Sequence, residues 1–468
     1  KSFKVYYTDL GEAEEVVTTQ IAKGMHEVNR LTGELKRRAD KAVISEIENL
    51  IKDHQTLSGV LPSDVKPGDE LLPANIIVED KAVNGRSVKD KARIVAGGHR
   101  QNKEDFVNLS TQTVNTESVF ILLAVAASEK RCLMTVDVKG AYLNADMVSP
   151  DGRSTFIKVD CSLAKRFVQV EKSLEKFVGP DGKLTLRLDK ALYGCIQSSA
   201  LWQDKLTKTL IEMGFRISAY DKCVAVNKNA SVIICFHVDD LLIVGNDAEC
   251  CEKFRKDFDK KFTITSKTGK ELDYLGLHIS VKENGIELSQ RAMVAKLIGD
   301  VKGTANSPAA TLESEESLSD SDVKKLDVGL DQDRAATYRS VTAVALYLSK
   351  RTRPDLLLAV NRLCRHANIP TERDWKALQR VLRYVSKTRN HVLLMPANGI
   401  DIEAYIDASF ATNADRKSTT GAVVMVGGAI VWAKSGKQSI ITKSSFEAEL
   451  VALSDMSSMV LWIKSQVN

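Results

Sequence analysis

The chain has 468 residues, of which 44% are hydrophobic and 27% are charged. Because this length exceeds that of one ordinary core, we expect two or more domains. No apolar run approaches the roughly 18 residues that a membrane-spanning helix needs, and the N-terminus lacks the apolar stretch of a secretory signal, so no membrane partner is expected. The net charge of +5 is compatible with a polyanionic partner without requiring one.

The cysteines are scattered along the chain. The eight of them form no C-x-x-C motif and no cluster with histidine. Cys250 and Cys251 are adjacent, which is poor geometry for a disulfide. We therefore expect free thiols in a reducing compartment and no structural zinc.

The first half of the chain changes character near residue 56. Residues 1–55 are charged and helix-prone, which indicates a peripheral arm or an ordered lead-in. Residues 56–115 carry strand signals, and residues 117–130 are typical of a buried helix. A strand containing LMTVDV follows, and ALYGCIQSSALW then begins a turn and an amphipathic helix.

The second half contains three patterns. Residues 304–322 are rich in serine and acidic residues, which is typical of a mobile loop or linker. Residues 335–388 have the apolar spacing of helices. From Ile400 onward strand signals return, with Gly427-Gly428 at a hairpin bend, and one long helix follows.

The strongest chemical signal is FHVDD, in which two apolar runs flank Asp239 and Asp240. Two apolar strands joined at an acidic pair predict a β-hairpin. Adjacent carboxylates in apolar strands cost free energy unless a cation compensates them, and a divalent metal ion is the natural one. The alternative is that the pair is only a turn dipeptide.

A second acidic position favours the metal interpretation. Asp137 lies at the end of the apolar strand LMTV. Nucleotidyl transfer uses two Mg²⁺ ions about 3.5–4 Å apart, and Mg²⁺ prefers carboxylate oxygens. One aspartate on a strand and a pair on a neighbouring hairpin meet that requirement.

Alternating basic residues suggest where a triphosphate could bind. Lys89, Lys91 and Arg93 would share one face of a strand, because alternate side chains of a strand point the same way. An edge strand whose lysines prevent aggregation is a competing explanation. Basic residues also cluster at Lys253–Lys270 and Arg351–Arg389, where solvated helix faces are the alternative.

The blocks KARIVAGGHRQ, TVDVKGAYLNA, ALYGCIQSSALW, FHVDDLLIVG and DYLGLHI occur in this order. Together they resemble the reverse transcriptase of copia-type (Pseudoviridae) LTR retrotransposons, in which a Y-V-D-D hairpin is usual. The blocks YRSVTAVALYLSKRTRPDLLLAVNRL, PTERDWKALQRVLRYVSKT and AYIDASF continue the match. The resemblance covers the chain from about residue 45 to the end.

This resemblance implies an α+β fold. It consists of a right-hand polymerase with fingers, palm and thumb, followed by a ribonuclease H-like α/β domain. The expected boundaries are a lead-in at 1–55, fingers at 56–120 with part of 150–190, palm at 121–285, thumb and connection at 286–398, and a partial ribonuclease H domain at 399–468.

The resemblance also assigns the metal ligands of the polymerase. Asp137, Asp239 and Asp240 would be the metal-binding carboxylates, with Asp239 the more directly coordinating member of the hairpin pair. The carbonyl of Val138 would complete one metal site. His237 replaces the usual tyrosine before Val-Asp-Asp. We expect it to be a half-buried strand residue near the primer end rather than an acid or a base.

The same resemblance assigns the substrate side. Lys91 and Arg93 would hold the incoming triphosphate. Gln197 would lie along the sugar of the nucleotide, and Tyr142 would be the steric gate against a 2′-hydroxyl group. Tyr274-Leu275-Gly276 would fall in the hairpin that grips the primer.

Two further acids are implied for ribonuclease H. Asp407 lies in a predicted strand and Glu447 opens the last helix, which are the positions that this fold uses for its first two metal-binding acids. Ser444 and Glu447 also have the spacing of a capping box, which is a purely structural alternative. The next acid of the family would lie beyond Asn468, so the domain is expected to be truncated here and its nuclease site incomplete. A buried stripe is predicted on the last helix, formed by Phe446, Leu450, Leu453, Val460 and Ile463.

The sequence therefore predicts an RNA- and DNA-templated DNA polymerase that uses two Mg²⁺ ions, for which Mn²⁺ could substitute. The expected partners are an RNA template with a DNA or RNA primer, an RNA/DNA hybrid, and dNTPs. The expected location is the cytoplasm, within virus-like particles. Two alternatives are an RNA-dependent RNA polymerase, which Tyr142 disfavours, and an inactive nucleic-acid-binding protein. Retention of the palm acids with Lys91, Arg93 and Gln197 disfavours the second.

Overall fold

The computed structural model describes residues 16–83, 86–106, 109, 111–148, 152–299 and 328–467. The segment 304–322, which we predicted to be a mobile loop, lies outside these residues, as does the side chain of Lys89. Among the residues described, no helix is long and apolar enough to cross a bilayer. All eight cysteines are free thiols, as predicted.

Strands and helices alternate irregularly along the chain, as in an α+β protein. The described strands are β1 (Val16–Lys23), β2 (Leu57–Gly59), β3 (Glu70–Val83), β4 (Arg86–Ala96), β5 (Cys132–Val138), β6 (Thr155–Val159), β7 (Leu184–Leu188), β8 (Phe215–Ile217), β9 (Val224–Asn227), β10 (Val232–His237), β11 (Asp240–Gly245), β12 (Ile264–Thr268), β13 (Glu271–Tyr274), β14 (Leu277–Lys282), β15 (Gly285–Ser289), β16 (Leu393–Pro396), β17 (Ile402–Ser409), β18 (Thr419–Val426) and β19 (Ala429–Lys437). The described α-helices are α1 (Met25–Arg30), α2 (Gly33–Glu48), α3 (Thr116–Ser128), α4 (Cys161–Val170), α5 (Ser198–Glu212), α6 (Ala248–Asp259), α7 (Arg291–Gly299), α8 (Gln332–Ser349), α9 (Leu357–Arg365), α10 (Glu372–Lys387) and α11 (Ser445–Val467).

The first sheet has the order β1-β3-β6-β7-β2, with β4 paired to β3. Helix α2 packs against β4, and its Arg38 binds Asp90 on that strand at 2.6 Å. Val43 and Ile47 of the same helix are fully buried in the core of this sheet. Residues 16–55 therefore pack into this layer, as an ordered lead-in would and a peripheral arm would not, and they contain a strand, β1, that the sequence did not predict.

The second sheet carries the predicted acids and has the order β12-β5-β11-β10-β9-β8. Strand β11 lies between β5 and β10 in this sheet, and its Leu241 and Ile243 are completely buried. Helix α3 has nine buried residues, so the prediction of a buried helix at this point is confirmed. Near-continuous apolar runs are expected for strands that are covered on both faces.

A helical unit follows the four-stranded sheet β13-β14-β15-β16. Helices α7, α8, α9 and α10 share a separate hydrophobic core. Arg353, only 1% exposed, lies within this unit between Asp355 and the side chain of Thr388. The chain then returns through β16, which pairs with β15.

The C-terminal unit consists of the sheet β17-β18-β19 and the helix α11. Val424 and Ile463 of this unit belong to the same hydrophobic core as the sheet of β5 and β11, because helix α3 packs against both α11 and β19. The unit is therefore attached to the body of the molecule by a shared core.

The predicted buried stripe of α11 was wrong for most of its residues. Phe446 is 72% exposed, and Leu450 and Leu453 are also exposed. The buried face consists instead of Ala448, Ala452, Met456 and Ile463. The first half of this face is formed by the small residues Ala448 and Ala452, and the helix packs against β17 and β18.

Candidate functional site

Three aspartates meet at one end of the β5-β11-β10 region. Asp137 on β5 is the direct antiparallel partner of Asp240 on β11. Asp240 in turn pairs with His237 across the β10-β11 hairpin, which confirms the predicted hairpin. Asp239 occupies the two-residue turn. The register of two neighbouring strand pairs thus brings the three carboxylates to one end of the sheet.

The turn that carries Asp239 has an uncommon backbone conformation. Val238 has a φ of 54°, and positive φ is disfavoured for a β-branched residue. The carbonyl of Val238 accepts a hydrogen bond of 2.7 Å from the indole nitrogen of Trp202. The carbonyl of Asp239 accepts one of 2.9 Å from the backbone nitrogen of Val138. The turn is therefore held on both sides by neighbouring elements.

Two of the three carboxylates, Asp137 and Asp240, have raised pKa values. Burial, and then the charges of Asp239 and Asp137, raise the pKa of Asp240 to about 6. Burial and the charge of Asp239 also raise the pKa of Asp137, against the opposing charge of Lys91. A cation placed among these oxygens would relieve this repulsion.

The donor set suits a hard divalent cation. Carboxylate oxygens are the side-chain ligands that Mg²⁺ prefers, and Mg²⁺ commonly completes its coordination with water and substrate phosphates. Among the described residues, no three acidic, histidine or cysteine side chains converge closely enough to hold a metal ion alone. The aspartates therefore fit Mg²⁺ as part of a set that a nucleotide would complete.

Strand β4 brings basic residues toward the acids. Ala92 and Ile94 are buried, whereas Lys91 is exposed and Arg93 is half-buried, so Lys91 and Arg93 share the outer face as predicted. Lys91 is near enough to Asp137 to lower its pKa. Arg93 forms an ion pair of 2.6 Å with Glu79. The arrangement places positive charge beside the carboxylates.

Two tyrosine rings line the space between the acids and β4. Tyr142 lies in a short 3₁₀ turn after β5, and its ring centroid is 4.9 Å from that of Tyr193 in an edge-on contact. The guanidinium of Arg93 lies 5.9 Å from the Tyr193 ring. Burial and the charge of Asp239 raise the pKa of Tyr193 to about 12, so its hydroxyl stays protonated.

Gln197 is not in this space. Its side chain is 4% exposed, and its amide accepts a hydrogen bond of 3.1 Å from Gln101. Gln197 is enclosed just before α5, and its assignment along the nucleotide sugar stays a prediction. Tyr193, four residues earlier in the same block, is the residue that the sequence analysis missed. The sequence feature that could have identified Tyr193 is its position as an aromatic residue beside Gly194 in ALYGC.

Gly98 and Gly194 allow a close backbone contact between the end of β4 and the loop that holds Tyr193. The backbone nitrogen of Ala96 donates to the carbonyl of Tyr193 at 2.8 Å. A Cβ atom on Gly98 would collide with the carbonyl of Gly194, and one on Gly194 would collide with that of Ala96. Gly194 also has a φ of 93°. This close backbone contact fixes Tyr193 relative to the basic strand.

The hairpin of β13 and β14 lies beside the acids. Its turn consists of Leu275 and Gly276, both with positive φ. Arg351, which follows α8, donates a hydrogen bond of 3.0 Å to the carbonyl of Leu275 and connects the helical unit to this turn. Tyr274 is 2% exposed and lines a cavity of about 210 Å³ with Asp137 and Asp240. The expected hairpin is present, with its tyrosine directed into the protein.

His237 is half-buried at the end of β10, as expected. It lines a cavity of about 40 Å³ with Trp202 and Cys223. His237 is next to the turn, in the residue pair that it forms with Asp240. This position is compatible with a contact between His237 and a bound nucleic-acid strand.

The two C-terminal acids lie on neighbouring elements. Asp407 is exposed on β17, and α11 packs against that strand. Glu447 accepts a hydrogen bond of 2.6 Å from the backbone nitrogen of Lys443, and its own nitrogen donates to Ser444 at 3.1 Å. Ser444 therefore caps α11 by accepting from the nitrogen of Glu447, but the Glu447 carboxylate accepts from Lys443 instead of Ser444, so only one half of the predicted capping box is formed.

Comparisons with known proteins show the family of this chain. A family model described as reverse transcriptase (RNA-dependent DNA polymerase) matches residues 58–313. The chain is 31% identical over 381 residues to the Retrovirus-related Pol polyprotein from transposon RE2 of Arabidopsis thaliana, covering 80% of this chain and 24% of the relative. It is 26% identical over 442 residues to the corresponding polyprotein from transposon TNT 1-94 of Nicotiana tabacum, covering 92% of this chain and 31% of the relative. The chain thus spans a quarter to a third of the length of these relatives.

A solved structure has the same fold. The foamy viral protease-reverse transcriptase dRH in complex with ds DNA superposes with a TM-score of 0.50 at 14% identity, covering 92% of this chain and 61% of that chain. At that identity the likeness concerns the fold alone. The family match extends over more than half of the chain, and the relatives confirm the resemblance to copia-type retrotransposons. This chain belongs to the reverse transcriptase (RNA-dependent DNA polymerase) family.

Proposed function

We propose that this chain is an RNA- and DNA-templated DNA polymerase of an LTR retrotransposon. The observation that carries the proposal is the direct pairing of Asp137 with Asp240, next to the turn that presents Asp239. Nucleotidyl transfer uses two metal ions held by acidic ligands, and family membership makes this the expected use of the three aspartates.

Each residue of the site has a defined task in this proposal. Asp137, Asp239, Asp240 and the carbonyl of Val138 would hold Mg²⁺ or, in its place, Mn²⁺. When bound, the two ions neutralise the attacking 3′-oxygen and the leaving phosphate oxygen. The protein otherwise positions the reactants, since phosphoryl transfer requires orientation and charge neutralisation above all.

The basic strand would bind the triphosphate. Lys91 is exposed beside Asp137, and Arg93 would exchange part of its contact with Glu79 for phosphate oxygens. Tyr142 and the adjacent Tyr193 would form an aromatic wall against the sugar. A ring at that place excludes a 2′-hydroxyl group, which favours dNTPs over rNTPs.

The partners and the domain organisation follow from the same proposal. An RNA template with a DNA or RNA primer, and then an RNA/DNA hybrid, would lie between the basic strand and the helices α7–α10. In this scheme 56–120 with part of 150–190 are fingers, 121–285 palm and 286–398 thumb and connection, with residues 16–55 added to the fingers. The cytoplasm, within virus-like particles, is the proposed location.

Primer extension tests the proposal. The purified chain should extend a DNA primer on RNA and on DNA templates with Mg²⁺ and dNTPs, and much less with rNTPs. Preferred use of rNTPs would indicate an RNA polymerase. Binding of the hybrid without any extension would indicate an inactive nucleic-acid-binding protein.

A second activity is proposed for the C-terminal unit. Asp407 on β17 and Glu447 at the start of α11 would be the first two metal-binding acids of a ribonuclease H domain, which would degrade the RNA of RNA/DNA hybrids when complete. Degradation of the RNA in a labelled RNA/DNA hybrid tests this assignment. Any Mg²⁺-dependent cleavage should disappear in Asp407→Asn while primer extension is retained, and cleavage that survives this change would contradict the assignment.

A further inference from the structure

The indole of Trp202 donates its N–H group to the turn that presents Asp239. Trp202 lies on α5, is 1% exposed and is among the largest fully buried side chains. A buried indole N–H usually requires an acceptor. Here the acceptor is the carbonyl of Val238, at 2.7 Å, in the turn that presents Asp239.

This contact acts on a strained part of the backbone. The turn joining β10 and β11 has only two residues, and the first of them, Val238, adopts a φ of 54°. Glycine is the usual residue at such a position of a hairpin turn. A strained conformation persists only when its surroundings fix it. The hydrogen bonds to the carbonyls of Val238 and Asp239 are the contacts that do so from outside the hairpin.

Trp202 is itself rigidly supported. Its ring makes an edge-on contact with Phe262 at 5.2 Å, and Phe262 contacts Phe258 of α6 at 5.1 Å. The carbonyl of Thr263, next to Phe262, accepts a hydrogen bond from Lys139, two residues after Asp137. The same aromatic cluster thus supports the turn of Asp239 and the end of the strand of Asp137.

We propose that Trp202 is a positioning residue, whose N–H fixes the Val238–Asp239 turn so that the carboxylate of Asp239 is preorganised for the metal ions. This inference rests on the proposed polymerase function and extends it to a residue that touches neither nucleotide nor metal. A residue that served only to fill the core would contribute through its ring and not through its N–H group.

The test removes the donor and keeps the ring. Trp202→Phe retains an aromatic side chain against Phe262 but has no N–H group. Site-specific incorporation of 3-benzothienylalanine at position 202 replaces N–H by sulfur at nearly unchanged volume, so it serves if Trp202→Phe folds poorly. Trp432→Phe, on β19 and away from the site, is the matched control, and Phe262→Leu disturbs the packing while keeping the donor.

Two measurements are made on each variant. The first is hydrogen exchange of the peptide that contains Val238–Asp240 in the metal-free protein. The second is the Mg²⁺ concentration that gives half-maximal primer extension at saturating dNTP. Loss of one neutral hydrogen bond should accelerate exchange at the turn about fivefold and raise the Mg²⁺ requirement by a similar factor. Mn²⁺, which binds oxygen ligands more tightly, should restore extension.

The outcomes separate positioning from core filling. Local acceleration at the turn with a raised Mg²⁺ requirement, absent in Trp432→Phe, supports the proposal. Unchanged exchange and Mg²⁺ dependence would overturn it, as would an acceleration spread equally over the whole β5-β11-β10 region. A wild-type protein that did not extend primers would contradict the proposed function, whereas the exchange measurement would still decide whether the indole holds the turn.

Discussion

At the residue scale, the block ALYGCIQ borders the site through a residue that the sequence analysis did not single out. The ring of its Tyr193 meets that of Tyr142, whereas Gln197 is enclosed with Gln101. The sequence could not show this, because the contact depends on how closely Gly98 and Gly194 approach each other.

The acids, in contrast, could be predicted from the sequence. Asp239 and Asp240 lie between two apolar strands, and only a tight turn lets both strands stay buried. The partner acid, Asp137, ends another apolar strand, so sheet pairing brings it to the same end. The strain at Val238 and the support from Trp202 could not be predicted, because they arise from packing between distant elements.

The aromatic wall predicts the sugar preference of the enzyme. Tyr142→Val should increase the use of rNTPs relative to dNTPs by about tenfold or more, because a cavity replaces the ring that excludes the 2′-hydroxyl group. Tyr193→Phe should retain discrimination, since ring contact rather than the hydroxyl group supports Tyr142. Single-nucleotide incorporation kinetics measure both. Gln197→Ala is measured in parallel, and a loss of discrimination in that variant would support the predicted contact of Gln197 with the sugar.

At the element scale, helix α10 begins with a capping box formed by Thr371 and Asp374. Asp374 is 7% exposed and accepts hydrogen bonds of 2.8 Å from the backbone and side chain of Thr371, and another from His366. Burial by itself would raise the pKa of Asp374, but the hydrogen bonds from His366 and Thr371 hold it below its ordinary value.

This cap predicts a pH-dependent stability. Because the pKa of Asp374 is lower in the folded than in the unfolded protein, its stabilisation is complete above the unfolded value and is lost as pH falls through the folded value. Asp374→Asn should therefore lower the thermal midpoint near pH 7, and its difference from wild type should shrink below about pH 4. A difference that was constant from pH 7 to pH 3 would contradict this origin of the cap.

The buried face of helix α11 could not be predicted from the spacing of its apolar residues. The apolar residues were spaced for a buried stripe, but the structure buries the face that carries Ala448 and Ala452. Large residues on both faces leave the choice to the neighbouring sheet, which favours the face that allows the closest approach. The N-terminal strand β1 was missed for a similar reason, because its pairing with β3 is not visible in its own sequence.

At the scale of the whole molecule, the C-terminal unit and the sheet of the acids share one core. Ile463 of α11 is fully buried in it, whereas Leu461, two residues earlier, is 62% exposed. Ile463→Ala should lower the free energy of unfolding by about 2–5 kcal/mol, and Leu461→Ala should change it by roughly 0.5 kcal/mol or less. When denaturation is monitored by hydrogen exchange in β5 and in β18, the two strands should be destabilised together. Loss of β18 alone would mean that the two units unfold independently.

Charge is the second property of the whole molecule. If Lys91, Arg93 and the basic cluster at Arg351–Arg389 contact phosphates, affinity for an RNA/DNA hybrid should fall steeply as salt rises, because counterions are released on binding. The affinity should depend little on base sequence, since backbone contacts position the duplex without specifying it. Fluorescence anisotropy at several salt concentrations measures this, and a flat response would contradict a basic nucleic-acid surface.

The central claim is that the three aspartates hold the metal ions of a DNA polymerase. The most direct test is Asp239→Asn, which keeps the size of the side chain and removes its charge. Primer extension on an RNA template should fall by about a thousandfold or more, as expected when metal-assisted charge stabilisation is lost. Binding of the template-primer, measured in parallel, should stay near the wild-type value. Extension within tenfold of wild type by the Asp239→Asn protein would contradict the assignment.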